Sequence, residues 1–245
     1  MRWVLLFFAL KYEGDWLKIY QALKTKEKIA YEDLIDIETK ITCQYVTIID
    51  QDYPKALCNI YRPPFVLFYD GDLTIVNNKC HKLAICGTTK PDETGLLITK
   101  MLTKKIIRRK LILIVMLEKG INQCVIENLG FGNGVLIVKK WQDYAHICKK
   151  YPDVKFQIVI SESYDGNLKK TKYELYRIMS GLMDGVIIVQ STPDDDTHRL
   201  VTLANHDGKE VFCFPERVTI ANKNNSFIKN GAQLIESVND IFCKL

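Results

Sequence analysis

No two of the eight cysteines in this 245-residue chain stand at CxxC spacing. A paired-thiolate zinc module and a dithiol redox centre therefore lack their usual signature. Cys86 in AICG and Cys213 in VFCF lie inside apolar runs, where a reduced thiol behaves as a small hydrophobe. The expectation is a reducing, cytoplasmic compartment with no disulfide framework and no metal site. Histidine is scarce, with four in all. His198 and His206 are the best general-base candidates, but no nucleophile accompanies them, and His81 and His146 have no evident partner. Long apolar runs are missing too. The N-terminal WVLLFFAL stops after eight residues, before Lys11, with no small-residue cleavage site, so it reads as a buried first helix and predicts no membrane partner. Charge of one sign is also limited. The 34 Lys and Arg against 29 Asp and Glu leave a formal charge of +5, which permits a nucleic-acid partner without demanding one.

What is present is an alternation of apolar strands with helical stretches. From Trp3 to about Ile41 the periodicity is helical, with Trp16, Ile19, Tyr20 and Leu23 at three- and four-residue intervals. YVTIID (45–50) and FVLFYDGD (65–72) then read as strands, separated by the turn at Gln51–Pro54, the helix start KALCNI and the break at Pro63-Pro64. After Lys82 come LAICG (83–87), LILIVML (111–117), GVLIV (134–138), KFQIVIS (155–161), GVIIVQ (185–190) and EVFCF (210–214). Helical patterns at 95–110, 141–150, 171–183 and 197–206 lie between them, with 226–236 after the last. Near-continuous apolar strands alternating with helices predict an α/β fold with a sheet covered on both faces. The expected architecture is a Rossmann-like, doubly wound, mostly parallel sheet behind a small N-terminal helical region, divided as 1–44 and 45–245.

In such a sheet, ligands bind beyond the carboxyl ends of the strands. Leu83 to Gly95, LAICGTTKPDETG, is a strand, a glycine turn and a helix start, an arrangement whose backbone N–H groups suit a phosphate. The dinucleotide fingerprint GxGxxG is absent, because Gly87 is followed by Thr88 and Thr89, and no cofactor is expected. The other strand ends offer Glu118-Lys119-Gly120, Lys139-Lys140, Ser161-Glu162-Ser163, Ser191-Thr192 and Pro215-Glu216. These hydroxyls, lysines and glycines suit holding an anion better than reacting with one. No catalytic residue is assigned.

The order QDYPKAL, IYRPPFVLFYDGDL, ICGTTKPDETG, SES, YRIMSGLMDGVIIVQ, GKEVFCFP and SFIKNGAQLI resembles the DNA-processing family called DprA or Smf, from about Tyr45 to Ile241. The YP…PP…LF…GDL block and the closing NGA block are its most specific parts, and the chain looks like a diverged bacterial member. The resemblance implies an extended Rossmann fold that binds single-stranded DNA without sequence preference, as a homodimer that helps load the recombinase RecA during natural transformation. Some members carry a C-terminal winged helix, for which the stretch up to Leu245 is expected to be too short.

Position by position, the resemblance places Gly87 and Thr88 on a glycine–hydroxyl–arginine turn, with Thr89 at the arginine. Lys119, Gly120 and Asn122 fall on a basic glycine loop, with Asn122 at its acid. Leu175-Tyr176-Arg177 falls on a two-arginine run, and Asp195-Asp196-Thr197 on a small-residue loop. The implied phosphate-binding set is Gly87, Thr88, Thr89, Lys119, Gly120, Asn122, Ser161, Arg177 and Thr197. The acids Asp194–Asp196 would repel phosphate, whereas Lys100, Lys104, Lys105, Arg108, Arg109 and Lys110, with Lys169, Lys170 and Lys172, would compensate.

Each feature also has a plainer reading. Gly87–Thr89 is a turn the fold needs anyway, and Lys119 is a solvated loop lysine. Arg177 is either a phosphate contact or half of an ion pair. The basic stretch 100–110 is the wet face of an amphipathic helix whose Leu97, Met101 and Ile106 point to the core. Tyr164, Tyr173 and Tyr176 either stack on bases or pack. Two other functions remain open: a nucleotide-binding or nucleotide-hydrolysing protein using Glu118 or Glu162, and a scaffold that has lost its DNA groove.

Overall fold

A computed structural model describes residues 1–131, 134–166 and 172–244. Among them one mixed sheet holds β1 (Gln44–Thr47), β2 (Val66–Gly71), β3 (Lys82–Cys86), β4 (Ile112–Met116), β5 (Gly134–Ile137), β6 (Ile158–Ser161), β7 (Gly185–Ile188), β8 (Glu210–Cys213) and β9 (Gln233–Leu234). Their order is β1-β2-β6-β5-β4-β3-β7-β8-β9, with β2 antiparallel to both its neighbours and every other pairing parallel. The chain leaves β3 toward β4 on one side and reaches β7 on the other, so the order reverses between β3 and β7. This is the doubly wound topology expected, with an antiparallel strand inserted near one edge.

The apolar strands have both faces covered, and their period of two divides the core. Leu83, Ile85, Leu113, Val115, Leu136, Ile187 and Phe212 face one way. The same cluster continues to the β1–β2 edge, where the N-terminal helices α1 (Arg2–Lys11) and α2 (Trp16–Lys24) join it through Leu5, Leu6, Phe8 and Ile19. The helical region is therefore continuous with the core of the sheet. Ala84, Cys86, Ile114, Ile137, Ile160, Val186 and Ile188 face the other way, onto α8 (Lys172–Leu182) and α9 (Thr197–His206). The remaining helices are α3 (Tyr31–Leu34), α4 (Thr74–Asn77), α5 (Glu93–Arg108), α6 (Ile121–Glu127), α7 (Asp143–Lys150), α10 (Asn224–Lys229) and α11 (Val238–Phe242). No helix among the described residues is long and apolar enough to cross a membrane.

Two sequence expectations change, and one helix was not foreseen. The pattern at 226–236 is not one helix, because α10 ends at Lys229, Gly231 takes φ +104°, and the chain returns to the sheet as β9. Helix α6 carried no expectation. The core stripe of α5 is Gly95, Thr99, Leu102, Thr103 and Ile106, whereas Leu97 and Met101 are 59% and 49% exposed. The threonines can face the core because Thr99 Oγ1 donates to Gly95 O (2.7 Å) and Thr103 Oγ1 to Thr99 O (2.8 Å).

Candidate functional site

Gly87 ends β3 where a side chain has no room: a Cβ would lie 2.8 Å from Ile121 Cγ1 and closer still to Gln190 O. Gln190, just past β7, ties this point together. Its carbonyl accepts from Thr88 N (2.6 Å), its side-chain Oε1 accepts from Asp92 N (3.0 Å), and its Nε2 donates to Glu216 Oε2 (3.1 Å). Sequence reasoning took Gln190 as the end of a strand. The signal was a polar residue closing an apolar run at the strand where the order reverses.

These bonds decide what the turn can offer a ligand. Thr88 is buried, its amide taken by Gln190 and its hydroxyl by Lys90 N (3.2 Å). Asp92 caps α5 by accepting from Gly95 N (2.8 Å). That bond first, then the Gln190 amide, holds the Asp92 carboxyl below the usual aspartate range. The cap is thus complete above ordinary carboxylate pKa values and is lost as pH falls through the depressed one. Of the amides from Thr88 to Asp92, Thr89 N–H alone lacks an intramolecular acceptor among the described residues.

The next loop packs directly against this turn. Gly120 has φ +74°, and a Cβ there would lie 2.6 Å from Thr89 Cα and closer to Thr88 O. Ile121 N then donates to Thr88 O (3.2 Å). Gly87–Thr89 and Lys119–Gly120 are thus brought together as one backbone platform. Asn122 is buried beneath it, its Oδ1 facing the Cys86 thiol at 3.7 Å. Ser161 is fully buried, its hydroxyl donating to Ser163 O (2.7 Å) in a tight turn, and it offers nothing to the crevice.

Arg177 is the clearest departure from the expected set. It is 3% exposed. Its guanidinium makes an ion pair with Glu162 Oε2 at 2.6 Å and donates to the carbonyl of Arg62. It is half of a buried pair, with no open edge for a phosphate. The sequence shows the charge but not the partner 15 positions away in the chain. Tyr176 is buried as well, and burial pushes its phenol pKa up, which leaves it a packing residue. Tyr164 is part-buried, with its hydroxyl against Thr42 N (3.0 Å).

The loop after β7 already contains its own anion. Asp195 Oδ1 accepts from Ser191 Oγ (3.0 Å) and Thr197 N (2.9 Å), while Oδ2 accepts from Thr192 N (2.6 Å). The carboxylate therefore sits where donors converge at the start of α9. Thr197 is buried with its amide engaged. Asp195→Asn removes the charge and one acceptor. The expected cost is roughly 1–2 kcal/mol, read as a melting-temperature loss that Asp194→Asn does not reproduce.

Charge divides the crevice mouth in two. On the loops after β3, β4 and β5, the ammonium groups of Lys90, Lys119 and Lys139 are exposed and make no hydrogen bond or ion pair among the described residues. The β7 side is self-neutralised: Lys172 pairs with Glu118 and with Asp196 (3.4 Å), and Arg199 also reaches Asp196 (3.4 Å). Partial burial opposes the charge on Lys172, but Glu118 and Asp196 outweigh it and its pKa is raised. Glu118 and Glu162, the acids a hydrolase would need, each have a cation partner. Lys169 and Lys170 lie outside the described residues. Lys100, Lys104, Lys105 and Arg108 line the exposed side of α5, followed by Arg109 and Lys110 just past its end, with Arg109 lying over the Phe242 ring at 4.7 Å.

Comparison with known proteins gives this geometry a context. The model of the family described as DNA recombination-mediator protein A matches residues 44–245. A DNA processing protein DprA of Bacillus subtilis is 32% identical over 211 residues, covering 82% of this chain and 70% of its own length. That of Streptococcus pneumoniae is 26% identical over 219 residues, covering 81% and 73%. Among solved structures, DNA processing protein A from Streptococcus pneumoniae superposes with a TM-score of 0.72 at 19% identity, covering 95% of this chain and 93% of that one. The Helicobacter pylori protein gives 0.70 at 21% identity, covering 82% and 95%.

Proposed function

Because this chain belongs to the DNA recombination-mediator protein A family, we propose that it binds single-stranded DNA, without enzymatic activity, along the β3–β4–β5 side of its crevice. The observation that carries this reading is the row of three exposed lysines, Lys90, Lys119 and Lys139, unpaired among the described residues, on the loops that follow the adjacent strands β3, β4 and β5. Adjacent strands stand about 4.8 Å apart, so these loops set cations at intervals a phosphate backbone can follow. The similar Helicobacter pylori protein has been solved for its single-stranded DNA binding mode, which supports the same ligand class here. In this reading Thr89 and Lys119 touch phosphate. Gly87, Thr88, Gly120, Asn122, Ser161, Arg177 and Thr197 shape and hold the platform.

The test is fluorescence anisotropy of a labelled single-stranded oligonucleotide across a salt series. Affinity is expected to fall steeply with salt, and Lys119→Ala is expected to reduce the log–log slope by about one. No binding at low salt would leave the scaffold reading, which the Asp195 carboxylate at the start of α9 favours. We also propose a cytoplasmic homodimer that acts with the recombinase RecA, and a helical region bounded at residue 44. Sedimentation velocity and a recombinase-loading assay test the first two, and limited proteolysis tests the third.

A further inference from the structure

A second surface opens beside the crevice. Tyr61, Tyr173, His198, Arg199, Thr202 and His206 enclose a groove of about 280 Å³ between α8, α9 and the chain segment that precedes β2. We infer that this groove receives an unstacked base of the bound single strand, a proposal that rests on the DNA-binding reading above.

Three observations point to a planar, electron-rich ligand. The first is the mounting of Tyr61. Ile60 is buried, Arg62 O accepts from Arg177, Pro63 O accepts from Trp16 Nε1 (2.8 Å), and Pro64 O accepts from Tyr53 Oη (2.7 Å). Every neighbour in this segment is tied down, yet the Tyr61 side chain is 52% exposed. Arg62 is also held at φ +56°, a left-handed conformation uncommon for a non-glycine residue. The buried Arg177–Glu162 pair thus acts as the anchor of an aromatic platform.

The second observation is charge. The Arg62 guanidinium lies over the Tyr61 ring at 4.7 Å, and Arg199 borders the groove from α9. His198 Nδ1 faces Asp195 O (3.1 Å) and His206 Nδ1 faces Asp207 Oδ1 (3.0 Å). Both partners are acceptors, so Nδ1 is the donor in each of these contacts, and the Nε2 edge of each ring is the one left for a ligand. Aromatic faces with neighbouring cations are what single-strand binders use to stack bases without reading sequence. The third is position. Glu118, Lys172, Asp196 and Arg199 form a continuous chain of ion pairs from the loop beside Lys119 to the groove. This run of paired side chains joins the lysine-bearing loop after β4 to the groove without a net charge that would repel phosphate.

The test uses the full chain and an oligonucleotide carrying 5-iododeoxyuridine, photo-cross-linked and mapped by mass spectrometry. Cross-links are expected at Tyr61 or Tyr173. Tyr61→Ala and Tyr173→Ala are each expected to weaken binding roughly ten-fold with an unchanged salt slope, because no phosphate contact is lost. Tyr61→Phe is expected to bind like the parent, and unchanged melting temperatures exclude misfolding. Cross-links confined to the crevice loops, with Tyr61→Ala binding normally while Lys119→Ala does not, would overturn this inference and leave the DNA reading standing. Failure of the parent chain to bind any single strand at low salt would overturn both.

Discussion

Replacing Arg177 by methionine lowers the melting temperature by roughly 6–20 °C, the consequence of removing one half of its ion pair with Glu162 from the interior. Both side chains of the pair are almost wholly buried. Their mutual attraction mainly offsets the cost of removing each from water. Breaking one half exposes that cost, about 3–5 kcal/mol, whereas removing both halves together does not. The double variant Arg177→Met with Glu162→Leu is therefore expected to recover more than half of the loss. Thermal unfolding followed by circular dichroism compares the single and double variants directly. The same experiment separates two meanings of this arginine. A phosphate-binding arginine on the surface would weaken DNA binding and leave stability nearly unchanged. The buried pair predicts the reverse order of events, with stability lost first and DNA affected through the segment that carries Tyr61.

How much of this was legible in the sequence follows from the range of each interaction. The central strands announce themselves because a strand buried on both faces has few polar positions, as in ILIVM of β4 and GVII of β7. The turn at Gly87 was legible for the same reason, since an apolar run has to break somewhere. Helix α6 was missed because seven residues after a glycine give too short a pattern to separate from a loop. β9 was missed because two residues of strand carry no periodicity, and Ile228, Ala232 and Ile235 lie at helical spacing around Gly231. The buried face of α5 was misread because hydropathy favours Leu97 and Met101, while the actual stripe uses threonines that satisfy their hydroxyls on their own helix. Site residues were the least legible. Thr88, Asn122, Ser161 and Thr197 are chemically suited to an anion, but each is buried, and only three-dimensional partners reveal it. Asp195 was expected to repel phosphate; that its carboxylate gathers the loop's own donors is invisible without coordinates.

The second large effect is expected at Gly120, where backbone conformation and close packing act together. An alanine there adopts φ +74°, which L-residues resist, and its Cβ meets Thr89 Cα at 2.6 Å with Thr88 O closer still. Neither neighbour can yield easily, because Thr88 is fixed to Gln190 through its amide (2.6 Å) and to Ile121 through its carbonyl (3.2 Å). Strain and overpacking together are expected to cost on the order of 3 kcal/mol. Gly208→Ala supplies the comparison, since Gly208 has φ +67° but a Cβ would meet nothing within 4 Å. Its cost is expected to be about 1 kcal/mol, from conformation alone. The difference between the two variants in thermal unfolding isolates the close approach of the two loops. DNA binding carries the argument one step further. Pushing the loops apart separates Lys119 from Thr89 N–H, so Gly120→Ala is expected to lose about ten-fold in affinity for each phosphate contact released, with a shallower salt slope. Gly208→Ala, far from the loops, is expected to bind with the parent slope. If Gly120→Ala keeps the parent affinity and slope while losing stability, the platform is architectural and the lysines act without it.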